Sequence, residues 1–387
     1  MSDGIVIAGG GLAAQRAAET LRRLGYGGPV RIVCAEPHLP YDRQPLSKEV
    51  LSGEQTRDSV RFRPDIWYAE HDTDVLLGVS ATGLNTAERR VAPSDGRTLR
   101  YEQLLIATGS RPRRLALLAG YDNVSELRTI DDALRLRGEL TPGARLVIIG
   151  AGFVGLEVAA TARGLGAEVT LIEAASQPLI GVLGEEIGAW FAELHRSEGV
   201  EVITGRTVLG VRRQEHCVAS LELSDGRVVP GDHVLVGVGV EPDVARLARS
   251  GLANGGVRVD AHGRTGIPGV FAAGDAAATY DRRVNRHVAG SHWESAGRQA
   301  ARAARAMLGF DPGTVKLSSF WTDQYGLRIQ YLGDARLADA AAIDGEPQQR
   351  DFTATYARDG VRVAALLVDR TRSLPAMRKL ITHGGRS

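Results

Sequence analysis

The 387-residue sequence has only two cysteines, Cys34 and Cys217, which lie far apart along the chain. This scarcity excludes a disulfide framework, leaves no cysteine ligands for an iron–sulfur cluster, and fits a cytoplasmic setting. The nine histidines are scattered, so no metal-binding spacing stands out. Cys34 falls within an apolar run, which is typical of a small buried side chain, and a thiol-based reaction is not expected.

The sequence also has no excess of charge of either sign, because 47 Lys and Arg residues are matched by 46 Asp and Glu residues. A formal net charge of +1 creates no general field for nucleic acid or a membrane surface, so a charged partner must meet a local patch. The first residues run directly into an apolar strand pattern at Ile5, which predicts neither a signal peptide nor a transmembrane helix. A length of 387 residues suits two or three domains.

Two stretches have the strand, Gly-rich turn, helix and strand order of a βαβ unit, which favours a buried parallel sheet. The first comprises an apolar run at 5–8, three glycines at 9–11, helical spacing over 12–24 and an apolar run at 30–35. The second comprises a strand at 144–149, a turn at 150–152, a helix from 153 to about 165 and a strand at 168–172. They begin about 140 residues apart and predict two separate domains.

The first turn carries Gly9-x-Gly11-x-x-Ala14, in the strand-to-helix context that a dinucleotide fingerprint requires. Gly9 permits the tight turn, Gly11 lets the backbone approach a pyrophosphate, and Ala14 lets the helix pack closely on the strand. Amides at the helix N-terminus attract the phosphate charge. Glu36, at the end of the second strand, can accept hydrogen bonds from a ribose diol. These features predict a dinucleotide site.

The second turn is equally complete, with Gly150-x-Gly152-x-x-Gly155 and then Glu173 after the strand. A carboxylate at Glu173 favours a free 2′-hydroxyl, whereas a 2′-phosphate would require an arginine. No Arg or Lys occurs at 174–177, so the sequence predicts NADH rather than NADPH; a merely solvated glutamate would leave that choice open. One site for FAD and one for a nicotinamide together predict hydride transfer between two cofactors.

Between and after these units the sequence predicts β structure. The stretch 206–238 is β-rich with a hairpin turn at 224–226, a second hairpin turns at Asp359-Gly360, and a short basic helix follows at 373–381. The predicted fold class is α/β, with two Rossmann-like dinucleotide-binding domains and a C-terminal α+β domain. We expect a discontinuous FAD-binding domain at 1–110 and 240–312, an NAD-binding domain at 111–239, and the C-terminal domain at 313–387.

Four further segments narrow the class of protein. They are Leu39–Lys48, which contains Pro-Leu-Ser-Lys; Ala107-Thr108-Gly109; Ile267–Asp275, which ends in Gly-Asp; and Phe320–Leu327, which contains Phe-Trp-x-Asp-Gln-Tyr. Together with the two glycine-rich turns, they closely resemble the FAD-containing ferredoxin reductases, such as the putidaredoxin, rubredoxin and dioxygenase-ferredoxin reductases. The resemblance spans nearly the whole chain and implies a glutathione-reductase-like fold.

The resemblance implies roles for individual residues. Asp275 would accept hydrogen bonds from the ribityl chain of FAD, and Trp293 would open a helix whose amide end points at the flavin. Lys48 and Glu157 would face each other across the nicotinamide pocket as the catalytic pair, whereas the residues alone suggest a solvent lysine and a surface glutamate. The implied FAD-binding residues are Gly9, Gly11, Ala14, Glu36, Arg43, Lys48, Thr108, Gly109, Gly274, Asp275, Trp293 and Trp321, and the implied NAD-binding residues are Gly150, Gly152, Gly155 and Glu173.

The sequence departs from the family at two positions. Gln44 stands where a second proline is common, which changes the stiffness of a loop. Gly181 stands where relatives often carry an arginine that helps to hold the nicotinamide dinucleotide. We therefore expect weaker binding of NADH, or binding through Arg163 or another group.

The resemblance also implies the electron acceptor, a small acidic iron–sulfur ferredoxin that serves an oxygenase. A local basic face would steer such a partner.

The alternatives are a rubredoxin reductase, an NADH oxidase acting on oxygen or a quinone, and a redox-sensing scaffold resembling apoptosis-inducing factor. The oligomeric state is left open. The candidate basic clusters are Arg111, Arg113 and Arg114; Arg282, Arg283 and Arg286; and Arg370, Arg372, Arg378 and Lys379.

Overall fold

The computed structural model describes residues 3–250, 252, 255–281, 286–289 and 293–384, with only the backbone described at 248–250, 281, 286, 289 and 293. Its helices are α1 Leu12–Arg23, α2 Glu49–Ser52, α3 Asp65–Glu70, α4 Ile130–Glu139, α5 Phe153–Gly164, α6 Ile180–Leu183, α7 Glu185–Ser197, α8 Trp293–Met307 and α9 Leu374–Thr382.

The strands of the first half of the chain are β1 Ile5–Ala8, β2 Val30–Cys34, β3 Thr73–Leu77, β4 Ala81–Asn85, β5 Arg90–Pro93, β6 Leu99–Arg100, β7 Gln103–Ile106, β8 Ser110–Pro112, β9 Val124–Ser125, β10 Arg145–Ile149 and β11 Glu168–Glu173. Those of the second half are β12 Glu201–Thr204, β13 Val208–Gln214, β14 Cys217–Leu223, β15 Val228–Pro230, β16 His233–Val236, β17 Val240–Pro242, β18 Val257–Val259, β19 Val270–Ala272, β20 Ala277–Asp281, β21 Arg286–Ala289, β22 Ser319–Gln324, β23 Leu327–Gly333, β24 Ala340–Glu346, β25 Asp351–Arg358 and β26 Val361–Val368.

The first of two compact units comprises Met1–Asp42, Asp58–Arg111 and Val240–Lys316. Its centre is a five-stranded parallel sheet in the order β19-β7-β1-β2-β3. All four residues of β1 are buried, because alternate side chains enter two different cores. Ile5 and Ile7 pack with α1 and α8, whereas Val6 and Ala8 pack with residues from the opposite face of the sheet.

The second unit comprises Arg43–Arg57, Pro112–Gly239 and Leu317–Ser387. It contains a five-stranded parallel sheet in the order β12-β11-β10-β16-β9 and an antiparallel sheet of β13, β14 and β15. Its last segment forms a five-stranded antiparallel sheet in the order β22-β23-β26-β25-β24. The two large sheets of this unit share one core, because Tyr331 and Phe352 are buried in the same cluster as Ile148 of β10 and Leu171 of β11.

The structure confirms the α/β fold class and both predicted βαβ units. The helix predicted over 12–24 spans Leu12–Arg23, and the basic helix predicted over 373–381 spans Leu374–Thr382. The hairpin at Asp359-Gly360 joins β25 and β26 as expected. The division into three domains stays a prediction; by packing alone, the C-terminal segment and Arg43–Arg57 group with the segment that carries the second fingerprint turn.

Two absences concern the described part of the chain. No helix there has both the length and the apolar character needed to cross a membrane. The same residues contain no group of three or more His, Cys, Asp or Glu side chains that could hold a metal ion.

Candidate functional site

The first fingerprint turn leaves an open cradle at the start of α1. Gly9 has φ of +131°, and a Cβ there would lie 2.0 Å from the carbonyl oxygen of Ala107, so only glycine fits. Gly11 is the N-cap residue of α1, and no side-chain hydrogen bond caps this end of the helix. A Cβ built on Gly11 would meet nothing within 4 Å. Ala14 is fully buried beneath the turn. An uncapped helix N-terminus with free space above it fits a pyrophosphate.

Polar groups of the same unit surround this turn. The hydroxyl of Tyr41 donates a hydrogen bond to the carboxylate of Glu36, which is half-buried at the end of β2. The hydroxyl of Thr108 is buried and has no hydrogen-bond partner in the protein, so it is available to a bound ligand. Ser110 Oγ donates to Asp275 Oδ2 at 2.6 Å and fixes that carboxylate.

Two glycines complete this set. Gly109 has φ of +74° and Gly274 has φ of +72°. A Cβ on Gly274 would lie 3.2 Å from that of Ala13, and its N–H donates to Gln299 Oε1 at 3.0 Å. Gly274 thus links the first turn of α1 to α8. Trp293 is the first residue of α8, as predicted, and its side chain lies outside the described atoms.

The second fingerprint turn repeats the arrangement in the other unit. A Cβ on Gly150 would lie 2.5 Å from the carbonyl oxygen of Gly237, and one on Gly155 would lie 2.2 Å from the carbonyl oxygen of Gly150. Gly152 again caps its helix, α5, without a side-chain hydrogen bond and with open space above it. This turn also fits a pyrophosphate.

Glu173 is tied to the second turn. Its Oε2 accepts a hydrogen bond from the backbone N–H of Ala151 at 2.7 Å, and its Oε1 accepts one from that of Ala175 at 2.8 Å. Each carboxylate oxygen has a second lone pair for a ribose hydroxyl. The carboxylate is thus fixed beside the cradle.

Lys48 and Glu157 form a buried ion pair. Lys48 Nζ lies 3.4 Å from Glu157 Oε2, and the side chains are only 11% and 9% exposed. Lys48 also donates to the carbonyl oxygen of Gln44 at 2.7 Å. Glu157 accepts two further hydrogen bonds, from Ser47 Oγ to Oε2 at 2.5 Å and from Thr322 Oγ1 to Oε1 at 2.7 Å. The expectation from the residues alone, a solvent lysine and a surface glutamate, is wrong.

Two other predicted residues lie in the same unit. Arg43 donates to the carbonyl oxygen of Arg128 at 2.6 Å, which fixes its guanidinium. Trp321 is half-buried on β22, and the guanidinium carbon of Arg328 lies 5.0 Å above its ring. Arg328 is itself held by Asp323.

The suggestion that Arg163 replaces the missing arginine is wrong. Arg163 lies in the last turn of α5, about 16 Å along the helix from Gly152. Its guanidinium donates to the carbonyl oxygens of Ala167 at 2.6 Å and Glu198 at 3.2 Å. Gly181 is exposed, and a Cβ built on it would meet nothing within 4 Å, so a side chain there has room.

The predicted basic clusters differ in how many of their side chains already form ion pairs or hydrogen bonds within the protein. Arg111 pairs with Glu241, and Arg114 with Glu126. Arg370 pairs with both Asp344 and Asp351, and Arg378 donates to Ser319. Arg282 and Arg283 lie outside the described residues, and only the backbone of Arg286 is described. Arg113, Arg372 and Lys379 are the members whose side chains are exposed and outside these ion pairs.

Five polar residues of these sites are not predicted by the sequence patterns: Ser47, Ser110, Thr322, Gln324 and His195. Ser47 and Thr322 lie within the Pro-Leu-Ser-Lys and Phe-Trp-x-Asp-Gln-Tyr segments, so a signal existed for them. His195 lies in the last turn of α7, outside both segments, and carries no such signal. Cys34 is buried as predicted, and its thiol donates to the carbonyl oxygen of His38 at 3.4 Å.

The fold and the two cradles define a flavin- and nicotinamide-dependent oxidoreductase with two dinucleotide-binding sites. The chain belongs to the pyridine nucleotide-disulphide oxidoreductase family, whose pattern matches residues 3–303, and residues 319–387 match the reductase C-terminal family. FAD and NAD(H) are the cofactors of this class, and the chain is an oxidoreductase. Both cysteines, Cys34 in β2 and Cys217 in β14, are free in the structure.

Several known proteins are similar to this chain over nearly its whole length. The ferredoxin–NAD(+) reductase component of the biphenyl dioxygenase system of Paraburkholderia xenovorans (strain LB400) is 39% identical, over 98% of this chain and 93% of that protein. Putidaredoxin reductase of Pseudomonas putida is 33% identical, over 98% and 92%. The crystal structure of a covalent putidaredoxin reductase–putidaredoxin complex matches with a TM-score of 0.95 and 33% identity, over 98% of this chain and 93% of that one.

Proposed function

We propose that this chain is an FAD-dependent NADH:ferredoxin reductase, which passes electrons from NADH to a small iron–sulfur ferredoxin that serves an oxygenase. The observation that carries the proposal is the pair of fingerprint turns. In each, the helix N-terminus has no side-chain cap, and a Cβ built on the glycine that precedes the helix would meet nothing within 4 Å. The names of the relatives, a dioxygenase-system component and putidaredoxin reductase, support the acceptor class.

The first unit would hold FAD. Gly9, Gly11 and Ala14 would leave room for its pyrophosphate, Glu36 would accept hydrogen bonds from its ribose, and the unpartnered hydroxyl of Thr108 would gain a hydrogen bond. The other residues of this unit that are assigned to FAD are Gly109, Gly274, Asp275 and Trp293. The chemistry that bound FAD supplies is acceptance of a hydride and release of single electrons.

The second unit would hold NADH at Gly150, Gly152 and Gly155. Glu173 would accept from the ribose diol and repel a 2′-phosphate, which is the basis of the preference for NADH. The fixed position of its carboxylate supports this role, because the two backbone N–H groups that bind it leave no freedom to swing away from a phosphate.

Lys48 and Glu157 are the proposed catalytic residues. The ammonium of Lys48 would stabilise negative charge that develops during hydride transfer. The carboxylate of Glu157 would hold that ammonium in position. The pair is nearly dry, and a charge exerts a stronger effect where water is excluded.

The ferredoxin is proposed to be acidic, because exposed basic groups outside ion pairs remain at Arg113, Arg372 and Lys379. A cytoplasmic location is also part of the proposal and agrees with two unpaired cysteines.

The first experiment is an anaerobic titration of the purified holoprotein with NADH and, separately, with NADPH, while the flavin absorption bands are followed. We expect bleaching at stoichiometric NADH and sluggish bleaching with NADPH. Purified protein without flavin would overturn the proposal, and bound flavin that NADH cannot reduce would favour the redox-sensing scaffold.

The second experiment identifies the acceptor. The NADH-reduced holoprotein is mixed with putidaredoxin, with rubredoxin, with a quinone or with air-saturated buffer. We expect fast reoxidation by putidaredoxin, slowed by added salt and by charge reversal at Arg113, Arg372 and Lys379. Charge reversal at Arg213, an exposed arginine of β13, is the control. Faster reoxidation by rubredoxin, oxygen or the quinone would support the corresponding alternative.

A further inference from the structure

A buried row of hydrogen bonds leads from Tyr325 to Glu157. The hydroxyl of Tyr325 lies 2.8 Å from His195 Nδ1, and His195 Nε2 lies 3.0 Å from Gln324 Oε1. Gln324 Nε2 donates to Thr322 Oγ1 at 3.0 Å. Thr322 Oγ1 donates in turn to Glu157 Oε1 at 2.7 Å. We call these five residues the His195 network.

The carboxylate at one end fixes the direction of every bond. A carboxylate only accepts, so Thr322 must donate its single proton to Glu157, and its oxygen can then accept only from the amide group of Gln324. The carbonyl oxygen of Gln324 therefore faces His195, whose Nε2 must carry the proton. Each donor thus points towards Glu157, and bonds aligned in one direction polarise one another.

The direction also requires a neutral His195. Burial lowers the pKa of His195 to about 4, so its Nδ1 has a lone pair for the hydroxyl of Tyr325. The charged groups that act on His195 and Tyr325 are Glu198, Arg163 and Arg350. Arg350 pairs with Glu198 at 2.7 Å, which offsets both charges.

The backbone is strained where the network begins. Tyr325 has φ of +52° in the turn between β22 and β23, a conformation that costs a non-glycine residue about 1 kcal/mol or more. The strained conformation brings the Tyr325 hydroxyl within 2.8 Å of His195. Thr322 and Gln324 share one face of β22 and are 1% and 2% exposed, and His195, on α7, is 0% exposed.

We propose that Thr322, Gln324 and His195 are positioning residues that fix the carboxylate of Glu157 against Lys48 for hydride transfer. The inference rests on the proposed function. Ser47 and Lys48 both bind Oε2 of Glu157, and Thr322 is the group that binds Oε1. Without Thr322 the carboxylate can rotate about its last bond, because no other donor to Oε1 is found among the described residues.

The test is anaerobic stopped-flow reduction of the bound flavin by NADH. Thr322→Val keeps the side-chain shape and removes the donor, so we expect the limiting rate to fall about tenfold, with the NADH dissociation constant changed less than about twofold. The primary isotope effect with NADH deuterated at the transferred position should rise as hydride transfer becomes limiting. Thr322→Ser, which restores the hydroxyl, should recover the rate.

A second pair of variants separates positioning from stability. Tyr325→Phe removes the donor to His195 and should lower the limiting rate about threefold. This effect is smaller than that of Thr322→Val because Tyr325 does not bind the charged carboxylate of Glu157 itself. Tyr356→Phe removes a buried hydroxyl of the same unit that donates to the carbonyl oxygen of Leu183, and should leave the rate unchanged. ¹⁵N spectra should show His195 neutral with the proton on Nε2 from pH 5.5 to 8, a signal assigned through His195→Gln.

The outcomes distinguish the two proposals. If NADH does not reduce the flavin of the unaltered protein, the proposed function fails. If NADH does reduce it, three results would overturn the positioning role while the proposed function stands. The flavin of Thr322→Val could be reduced at the unaltered rate, or Tyr325→Phe and Tyr356→Phe could have equal effects on that rate. The third such result is a proton on Nδ1 of His195.

Discussion

The carboxylate of Glu157 lies 3.4 Å from Nζ of Lys48, with both side chains about nine-tenths buried. Glu157→Gln would leave the ammonium without its counter-charge in a site that water hardly reaches. We expect the limiting rate of flavin reduction by NADH to fall at least about tenfold. Glu193→Gln, which removes a 75% exposed carboxylate of α7, should have no effect on that rate. Equal rates for the two variants would refute the catalytic role.

Thr108→Val should change the stability of the apoprotein and the holoprotein in opposite directions. The buried hydroxyl has no partner in the protein, so its removal should raise the unfolding free energy of the apoprotein by about 1 kcal/mol. It should weaken FAD binding about tenfold, measured by reconstitution of the apoprotein. Thr73→Val removes a hydroxyl bonded to the carbonyl oxygen of His71 and should destabilise both forms alike. Unchanged FAD affinity in Thr108→Val would remove Thr108 from the site.

Glu173→Gln should alter the choice of nicotinamide. One oxygen remains to accept, and the charge that repels a 2′-phosphate is lost. We expect the ratio of kcat/KM for NADPH to that for NADH, assayed with ferricyanide as acceptor, to rise about tenfold. Glu168→Gln, at the other end of β11, is the matched control. A constant ratio in both variants would leave Glu173 as a structural anchor of the turn.

Gly181→Arg should strengthen NADH binding. The position is exposed with open space around its Cβ, and an added guanidinium can pair with a phosphate. We expect KM for NADH to fall severalfold with little change in kcat. Gly138→Arg adds the same charge at an exposed glycine of α4 and should leave KM unchanged. An unimproved KM in Gly181→Arg would show that the missing arginine does not limit binding.

His195 should make the protein sensitive to acid. Its pKa is lowered from 6.5 to about 4 by burial, so between these values the unfolded state binds a proton that the folded state does not. The unfolding free energy should therefore fall by roughly 3 kcal/mol as the pH drops from 6.5 to 4.

Denaturant titrations across this range would measure the slope, and His195→Gln should flatten it. Part of the slope should remain, because burial also lowers the pKa of His233. His383→Gln removes an exposed histidine and should leave the slope intact. A slope unaltered in His195→Gln would show that another group causes the acid sensitivity.

The sequence by itself determined both dinucleotide-binding turns. Gly9 and Gly150 follow apolar strands and precede helices, and this local order is enough to predict a phosphate-binding turn. Hairpins and helices followed from equally local signals, and the boundaries agree within a few residues.

Only the tertiary structure decided the surroundings of the catalytic pair. Ser47 and Thr322 bind Glu157 from 110 and 165 residues away, and His195 reaches Gln324 across 129 residues. From sequence, Glu157 was equally compatible with a solvated helix surface, and His195 with any helical core position. A buried charge must be met by donors wherever the fold brings them, and long-range packing, which no local pattern encodes, chooses those donors.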